Sequence, residues 1–515
     1  MREFYLPLSE TFTNGLRPRP EAGKGGGYLV RSLNLVPGPL GSIVPEIVFA
    51  NKLSLAADWP FPQIAQEHGV VLGKTSLYEL GQDNQLSLVE PIYGTTPEES
   101  GIIEAGGVWD IAGLGLDAWA AVNGETLLVQ TPAYPLPLEF SYGGKAVALH
   151  NNRLVLDVPG SYFKTSVFGQ KVYEEWKTTA ANQQLVPDDP TDVSWLLFTR
   201  PLGSDIDYPL LADLALAGAA PDWLYNKAPG FLLDNIRAGA VELMPVYSDS
   251  PILGLESCAG RLLVFTSHET LWTRGEGRQL TRLARAGLRN RGASCTSPAE
   301  MGQATLWVSK NRLYVFEPDA RGEYRVVPLG LKEHLEDLDT DQPIVCLYEP
   351  LEELFYVSHP EGCLVRSPFG VGQTNRPATG LLRDTDLSGV FLDDCFTPVV
   401  EFETTEVDMN IQAFKTITSI ELGGSGLVDL AFSVIARLDQ AGSKIFEGPL
   451  VLAGDQATAF TTQAGLAFRI FGQGIIRKGA EVNYVTIKWK STDKRTIRGP
   501  HAPATEARTA GDPRD

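Results

Sequence analysis

The sequence predicts an all-β protein built from a repeated turn-strand unit. Two hydrophobic runs of one design, residues 261–265 and 312–316, each follow a short turn, Ala259-Gly260 and Lys310-Asn311. Gly and Asn tolerate the positive φ of tight hairpin turns, and β-branched or aromatic residues fit a pleated, half-buried surface. The same phrase recurs at 122–129, 149–156 and 350–357. A recurring turn-strand phrase indicates a repeat architecture.

Composition and spacing narrow the class. The 515 residues include 51 Gly and 35 Pro, which indicates many turns and few long helices. The phrase recurs after roughly 110 residues from Arg153 to Arg261, roughly 50 to Arg312 and roughly 40 to Glu353, and four-stranded β-propeller blades repeat at 40–50 residues. We therefore predict a β-propeller with an extended N-terminal arm and a C-terminal antiparallel β-sandwich, with other β folds as the alternative.

The first 50 residues are predicted to be the arm, which contributes a strand or two. Its glycines do not form a phosphate loop, because Pro18 stands where that motif requires the first Gly before Lys24. The N-terminus has no signal-peptide core. The most apolar window, 210–220, is about half the length of a membrane span and contains Asp213, so we expect no membrane insertion by this chain.

Residues 51–405 are predicted to form the propeller, with an irregular insertion at about 161–250. Short strand candidates alternate with turns before and after that insertion. Within it, 208–216 has helical composition with Pro209 in a first turn, whereas 223–236 is interpreted as irregular and apolar.

Residues 406–500 are predicted to form the β-sandwich. Apolar and polar residues alternate at 417–422, 429–434 and 484–489, as in strands with one buried face. The glycines around Ser425 are interpreted as a hairpin turn. Residues 501–515, rich in Ala, Pro and charge, are predicted to be a flexible tail.

No catalytic or metal constellation emerges, and no cofactor is expected. Five cysteines without a C-x-x-C pair are predicted to be reduced and mostly buried: Cys258, Cys295, Cys346, Cys363 and Cys395. The six histidines lack metal-ligand spacing and are expected to be ordinary loop or turn residues. The acidic stretch 337–341 begins like a calcium loop, but Gln342 replaces the required Gly. The pairs Glu352-Glu353 and Asp393-Asp394 leave a carbohydrate-active enzyme as a minor alternative.

One basic concentration is the candidate contact site. It consists of Arg274, Arg278, Arg282, Arg285, Arg289 and Arg291. Interrupting glycines favour strands and loops here over a helix. The arginines either form salt bridges with carboxylates of this chain or a neighbour, or they contact DNA or an acidic partner. The formal charge of -20 argues against a surface that grips nucleic acid, because such binding needs clustered cations that displace counterions from phosphates.

Short phrases across most of the chain resemble the tail nozzle proteins of short-tailed bacteriophages. Residues 280–298 followed by 305–314 resemble the propeller core of that family, although Asn311-Arg312 replaces its usual turn Gly. Residues 33–37 resemble its N-terminal Asn-x-x-Pro phrase, 237–245 the segment that leads into the next blade, and 414–489 its C-terminal sandwich. Residues 161–250 match poorly.

The resemblance implies a structural virion protein without enzymatic activity, located in the tail and assembled in the host cytoplasm. Six copies would form a tube below the portal and adaptor through which DNA is retained and ejected. The implied partners are other copies of the chain, the adaptor, distal tail or fibre proteins and, transiently, the genomic DNA. An acidic wall suits that role because it repels phosphate. The alternative is a propeller that binds a host receptor glycan or another tail protein through residues 161–250.

Overall fold

The protein is described from a computed structural model. The residues that the structure describes are 2–7, 29–38, 43–45, 63–65, 70–72, 77–80, 86–89, 92–93, 109–115, 118–179, 182–219, 222–273, 279–298, 303–310, 312–330, 335, 344–349, 353–359, 362–374, 378–383, 388–392, 399–404, 406, 414–437, 444–452, 456–460 and 464–491. They form mostly antiparallel strands with a few short helices, which confirms the all-β prediction.

The chain divides into two compact units. One, the terminal unit, consists of 1–47, 366–374 and 396–515, and the other, the sheet unit, consists of 48–365 and 375–395. The predicted tail 501–515 lies outside the described residues.

Long strands dominate the terminal unit. Its strands, numbered in chain order, are β1 (Arg2–Pro7), β2 (Leu29–Leu33), β3 (Leu35–Pro37), β4 (Ile43–Pro45), β29 (Gly370–Thr374), β32 (Val399–Thr404), β33 (Lys415–Arg437), β34 (Lys444–Leu452), β35 (Gln456–Phe460), β36 (Ala464–Gly465) and β37 (Ala467–Ser491). Strands β33 and β37 pair antiparallel along most of their length, and β1 pairs with β37, β2 with β32, and β3 with β4 and β29. The N-terminal arm therefore supplies four strands to this unit.

Two local features of the terminal unit bear on the predictions. Asn34, in the Asn-x-x-Pro phrase, has a φ of 58° and is buried; its Nδ2 donates to the Val399 carbonyl at 2.8 Å, and its Oδ1 accepts from the Thr374 hydroxyl at 2.8 Å. The interpretation of Ser425 as a hairpin turn is wrong, because Ser425 lies inside β33. The register shifts beside it, as glycine-rich strands allow, so the chain bulges without turning.

Consecutive strands of the sheet unit form successive antiparallel sheets. Sheet 1 consists of β5 (Gln63–Ala65), β6 (Val70–Leu72), β7 (Leu77–Leu80) and β8 (Leu86–Val89). Sheet 2 consists of β10 (Asp110–Gly115), β11 (Ala118–Val122), β12 (Thr126–Thr131) and β13 (Tyr134–Ser141), with β9 (Ile92–Tyr93) parallel to β13. Sheet 3 consists of β14 (Val147–His150), β15 (Arg153–Val158), β16 (Ser194–Phe198) and β17 (Glu242–Val246).

The remaining sheets follow in chain order. Sheet 4 consists of β18 (Ile252–Cys258), β19 (Arg261–Thr266), β20 (Thr270–Thr273) and β21 (Leu280–Ala284). Sheet 5 consists of β22 (Ser294–Thr296), β23 (Thr305–Ser309), β24 (Arg312–Pro318) and β25 (Tyr324–Gly330). We call the consecutive strands β26 (Val345–Glu349), β27 (Leu354–His359) and β28 (Gly362–Ser367) sheet 6, and sheet 7 consists of β30 (Ala378–Arg383) and β31 (Ser388–Leu392).

The repeated phrase forms tight turns between consecutive strands of several sheets. Asn151 and Asn152 precede β15 with φ of 48° and 58°, and Ala259 and Gly260 precede β19 with φ of 52° and 70°. Two successive positive φ values match a type I′ turn, whose twist suits a hairpin. Lys310 also has a positive φ, of 52°, before β24. The sequence prediction of turn followed by strand is thus confirmed at these sites.

The apolar runs are buried on both faces because neighbouring sheets pack against each other. In β15, Leu154 and Leu156 belong to a core shared with sheet 2 and the helices, whereas Val155 belongs to a core shared with sheet 4. In β19, Leu263 faces sheet 5 and Val264 faces sheet 3. Side chains of a strand alternate between faces, so a strand between two packed sheets needs an unbroken apolar run.

The first strands of the sheets contact one another in chain order. β5 contacts β10, and the contacts continue through β14, β18, β22 and β26 to β30, which in turn contacts β5. The succession of sheets therefore closes on itself within the sheet unit.

Helices fill the connection between β15 and β16 and that between β16 and β17. They are α1 (Tyr162–Thr165), α2 (Val167–Thr178), α3 (Asp207–Leu216), α4 (Asp222–Lys227) and α5 (Pro229–Arg237). The helix predicted at 208–216 is confirmed as α3. The irregular interpretation of 223–236 is wrong, since α4 and α5 occupy it; both are short, and their stability comes from packing that local pattern does not reveal.

Aromatic packing fixes these helices on sheet 3. Trp176 of α2 meets Trp195 of β16 edge to face, with ring centroids 4.9 Å apart, and Phe163 of α1 meets Trp195 at 5.1 Å. Trp176 Nε1 donates to the Leu243 carbonyl at 2.8 Å, and Trp195 Nε1 donates to the Pro190 carbonyl at 2.8 Å. Residues 161–250 thus contribute two strands and a large part of the core, in place of the expected irregular insertion. No helix in the described ranges is long and apolar enough to cross a membrane.

Candidate functional site

Polar side chains join the first strands of neighbouring sheets. We call β10, β14, β18, β22 and β26 the inner strands, because each begins its sheet and contacts the next. At each of their four boundaries the structure places a hydrogen-bonded contact, which we call a junction. The charged members of these junctions are the candidate functional site of the sheet unit.

Asp110 forms the junction between β10 and β14. Its Oδ2 accepts a hydrogen bond from the backbone N–H of Val147 at 3.0 Å. Burial raises the pKa of Asp110 well above its usual value; the Val147 hydrogen bond and the charge of Arg291 oppose that rise, and the charge of Glu256 adds to it.

Asp157, on β15, lies beside this junction. Its Oδ2 accepts from the backbone N–H of Lys145 at 3.0 Å, and its carbonyl oxygen accepts from the Tyr142 hydroxyl. Burial raises the pKa of Asp157 to about 7, although the Lys145 hydrogen bond and Arg291 favour the ionised form.

His150 forms the junction between β14 and β18. Its Nδ1 lies 2.9 Å from the Ser257 Oγ, with the ring buried. Burial, with a smaller contribution from Arg153, lowers the pKa of His150 and favours the neutral ring. The expectation that every histidine is an ordinary loop or turn residue is therefore wrong for His150, which ends an inner strand and bonds to the next, and for His359, which is buried at the end of β27.

Glu256 forms the junction between β18 and β22. Its two carboxylate oxygens accept from Ser294 Oγ at 3.0 Å and from Thr296 Oγ1 at 2.7 Å. The Thr296 hydroxyl also lies 2.8 Å from the Thr305 Oγ1 on β23. Burial raises the pKa of Glu256 to about 7, against the effect of the two hydroxyl donors.

The junction between β22 and β26 is made by backbone and thiols. The Cys346 N–H donates to the Gly292 carbonyl at 2.7 Å, and burial, together with the neighbouring Cys346 thiol, raises the pKa of the Cys295 thiol. Cys346 is buried and Cys295 is half-buried. The prediction of reduced, mostly buried cysteines is confirmed for the four that are described; Cys395 lies outside the described residues.

Arg291 is the cation of this cluster. Its guanidinium donates to the Asn123 carbonyl in the turn between β11 and β12, while Asn123 Oδ1 caps that turn by accepting from the N–H of Thr126 at 2.8 Å. A Cβ at Gly124 would collide with the guanidinium, and Gly124 has a φ of 100°, so this position requires glycine. Burial lowers the pKa of Arg291, which the charges of Asp110, Asp157 and Glu125 oppose.

The six predicted arginines do not share one site. Arg282 is exposed and pairs with Glu269, Arg285 is exposed, and Arg289 Nη1 donates to the carbonyls of Lys310 at 2.9 Å and Leu335 at 3.0 Å. Arg274 and Arg278 lie outside the described residues. As predicted, the described part of this segment forms strands and turns without a helix. The alternative of internal salt bridges fits Arg282, whereas Arg291 donates to a backbone carbonyl and lies within the electrostatic reach of Asp110 and Asp157.

Of the two carboxylate pairs considered for an enzyme, the structure describes only one residue, Glu353. Glu353 is an exposed turn residue with a φ of 54°, and Glu352, Asp393, Asp394 and residues 337–341 lie outside the described residues. Among the residues that the structure describes, no group of three or more His, Cys, Asp or Glu side chains is placed to hold a metal ion.

Sequence reasoning missed Asp110, Asp157 and Glu256. A usable signal was present: Asp157 and Glu256 each interrupt an otherwise apolar strand at a position where a repeat would place an apolar residue. A carboxylate inside such a run is costly unless donors meet it, so it marks a partner elsewhere in the chain. Their identity as junction residues still required the fold.

Comparisons with known proteins leave the family open. No protein-family model matches the chain, and no curated protein matches it. Among solved structures, the chain is similar to Hsv2 of Kluyveromyces lactis (11% identity, 68% of this chain and 91% of that one, TM-score 0.33) and to a periplasmic gluconolactonase of Pseudomonas aeruginosa (13%, 78% and 99%, TM-score 0.34). A putative 6-phosphogluconolactonase from Bacteroides uniformis is similar at 12% identity over 70% of this chain and 92% of that one, with a TM-score of 0.34. At these TM-scores the similarities carry no argument about this chain.

Proposed function

We propose that the chain is a β-propeller scaffold protein, the tail nozzle subunit of a short-tailed bacteriophage. In this proposal each sheet of the sheet unit is one blade, and the inner strands surround the propeller axis. Six copies form the tube below the portal and adaptor that retains and then releases the genome.

One observation carries the scaffold role: charged groups at the inner strands make hydrogen bonds between sheets. Asp110 and Glu256 on inner strands, and Arg291 in the turn before β22, each bond across a boundary between sheets. A binding or catalytic site needs polar groups that converge on a ligand. Groups that satisfy one another across sheets instead hold neighbouring sheets in place, which is what a subunit under mechanical load requires.

The sequence resemblance and the charge support the nozzle over other scaffolds. A formal charge of -20 per subunit suits a passage through which DNA slides without being held. Of the four arginines that the structure describes in this segment, Arg282 and Arg285 are exposed, and we propose them as contacts with a neighbouring subunit, an acidic partner or passing DNA. Arg289 and Arg291 are taken up by contacts within the sheet unit.

A second candidate, a propeller that binds a host glycan or another tail protein, is favoured by one observation. Tyr208 at the start of α3 and Phe231 in α5 are about half exposed, and their ring centroids lie 6.2 Å apart. Exposed neighbouring aromatic rings suit stacking on a sugar or insertion into a partner. Deleting 161–250 would not test this role, because that segment holds β16, β17 and part of the core.

Phage particles made without the chain separate the two candidates. The scaffold proposal predicts heads that lack the tail tube and lose their DNA, with recovery when the wild-type chain is supplied. The binding proposal predicts complete particles that keep their DNA and fail to adsorb. Supplying Tyr208→Ser with Phe231→Ser restores full infectivity under the scaffold proposal, whereas complete, DNA-filled particles without the chain would refute it.

A further inference from the structure

Two thiols meet where sheet 5 and sheet 6 join. Cys295 is the middle residue of β22, and Cys346 is the second residue of β26. The two strands contact each other, and the backbone hydrogen bond from Cys346 N–H to the Gly292 carbonyl, at 2.7 Å, fixes their approach beside the thiols. The side chains of both residues pack in the same apolar core, and the Cys346 thiol is near enough to add to the rise that burial causes in the pKa of the Cys295 thiol.

This pair differs from the other cysteines of the described chain. Cys258 ends β18 and is hydrogen-bonded to Thr305, and Cys363 Sγ donates to the Leu364 carbonyl at 3.4 Å. At Cys295 the neighbour that shifts the titration is another thiol, that of Cys346. The two residues are 51 positions apart in the sequence, so a bond between them would close a long loop that contains β23, β24 and β25 of sheet 5.

We propose that Cys295 and Cys346 are a redox site, at which a small-molecule disulfide such as oxidised glutathione converts the two thiols into a disulfide that staples sheet 5 to sheet 6. The site goes beyond the proposed nozzle function and does not depend on it.

The difference in exposure between the two cysteines determines which of them reacts first with the disulfide reagent. Cys295 is half-buried and Cys346 is buried, so the Cys295 thiolate attacks the incoming disulfide first and expels one glutathione thiolate. The Cys346 thiolate then attacks the Cys295 sulfur of the mixed disulfide and expels the second. The two protein thiols lose two electrons and two protons, and the electrons and protons appear on two molecules of reduced glutathione.

The surroundings make the reaction slow at neutral pH. Burial raises the pKa of the Cys295 thiol well above its usual value, and the neighbouring Cys346 thiol acts in the same direction. Because the thiolate is the nucleophile, the reduced pair persists in a reducing cytoplasm and reacts under prolonged oxidising conditions. The chain would thus keep free thiols in a reducing compartment and gain the disulfide in an oxidising one.

The disulfide would raise the stability of the chain against unfolding. A disulfide stabilises mainly by restricting the unfolded chain, and more so for a longer loop. The staple would join inner strands of two sheets that are otherwise held by apolar packing and a backbone hydrogen bond. We expect the oxidised full chain to melt higher than the reduced chain by several degrees, on the order of 5 °C.

The test incubates the full chain at pH 8.5 in glutathione buffers from fully reduced to fully oxidised, followed by acid quench, alkylation and peptide mass spectrometry. The expected product is one linkage, between Cys295 and Cys346, with the rise in melting temperature. Cys258→Ser, which removes a buried thiol outside the pair, is the matched control and should form the same linkage. Cys295→Ser and Cys346→Ser should form no linkage and show no rise.

Three results would overturn the inference. They are wild-type chain that stays reduced at both residues in the most oxidising buffer, a linkage that involves a different cysteine, and a linkage that lowers the melting temperature. Because the oxidised and reduced wild-type chains are compared directly, the test stands even where a serine variant folds poorly.

Discussion

Replacing Arg291 by Met removes the cation that the inner junctions share while it keeps most of the side-chain volume. The guanidinium donates to the Asn123 carbonyl, and its charge favours the ionised forms of Asp110 and Asp157. Removing one partner from a buried ionic group costs about 3–5 kcal/mol when the other stays charged. A lost charge-assisted hydrogen bond alone accounts for about 1.5–3 kcal/mol.

The pH separates these two contributions. At pH 8, above the pKa of about 7 of Asp157, the variant holds the Asp157 carboxylate without its cation, and we expect a loss of about 3 kcal/mol in the free energy of unfolding. At pH 5.5 the carboxyl of Asp157 is protonated in both proteins, so the loss falls to about 1.5 kcal/mol, the value of the hydrogen bond. Denaturant unfolding followed by tryptophan fluorescence at both pH values measures the difference.

Arg285→Met is the matched control, since Arg285 is exposed. Its substitution should change stability by less than about 0.5 kcal/mol at either pH. The reasoning fails if Arg291→Met is no more destabilised than this control at pH 8. It also fails if the loss is the same at pH 5.5 as at pH 8.

Three further predictions concern other parts of the sheet unit. Burial raises the pKa of Glu256 to about 7, above its value in the unfolded chain, so the stability that the protonated carboxyl confers is lost as the pH rises from the unfolded pKa to about 7. Glu256→Gln should therefore lose less stability than the wild type between pH 5 and pH 8. Parallel pH profiles of the two proteins in denaturant titrations would contradict this. A Cβ on Gly287 would overlap the backbone of Thr266 and Ser267, so Gly287→Ala should destabilise the protein by about 1–3 kcal/mol. Gly203 has open space around it, so Gly203→Ala should be close to neutral, and equal melting temperatures for the two variants would refute the clash. Trp195→Ala removes the ring against which α1 and α2 pack and should lower the free energy of unfolding by about 3–5 kcal/mol. Tyr208→Ala, on the exposed side of the helices, is the control, and thermal melting compares the two variants. A loss of stability for Trp195→Ala no larger than that for Tyr208→Ala would contradict the packing.

The strands were predictable because their signal is local. The turn residues before β15, β19 and β24 tolerate positive φ, and the runs after them are apolar because each strand is buried on both faces. Short-range chemistry and tertiary burial agree at these positions, which is the condition under which a sequence reveals its structure.

Helices α4 and α5 and the junctions could not be predicted, because both depend on contacts between parts that are distant in the sequence. α4 and α5 span fewer than ten residues each, so they exist through contacts with the rest of sheet 3 and its core. Arg291 meets Asn123 across 168 residues of sequence, and no local pattern encodes that distance. The arginines looked like one cluster in sequence because they are near in the chain, yet the strand and turns between them direct Arg282 outward and Arg291 inward.

An image of the purified full-length chain tests the central claim most directly. Electron micrographs combined with the mass in solution should show closed rings of six copies around a central channel, each copy containing a propeller whose seventh sheet closes on the first. A chain that remains a monomer at working concentration, with no ring in assembled virions, would contradict the account.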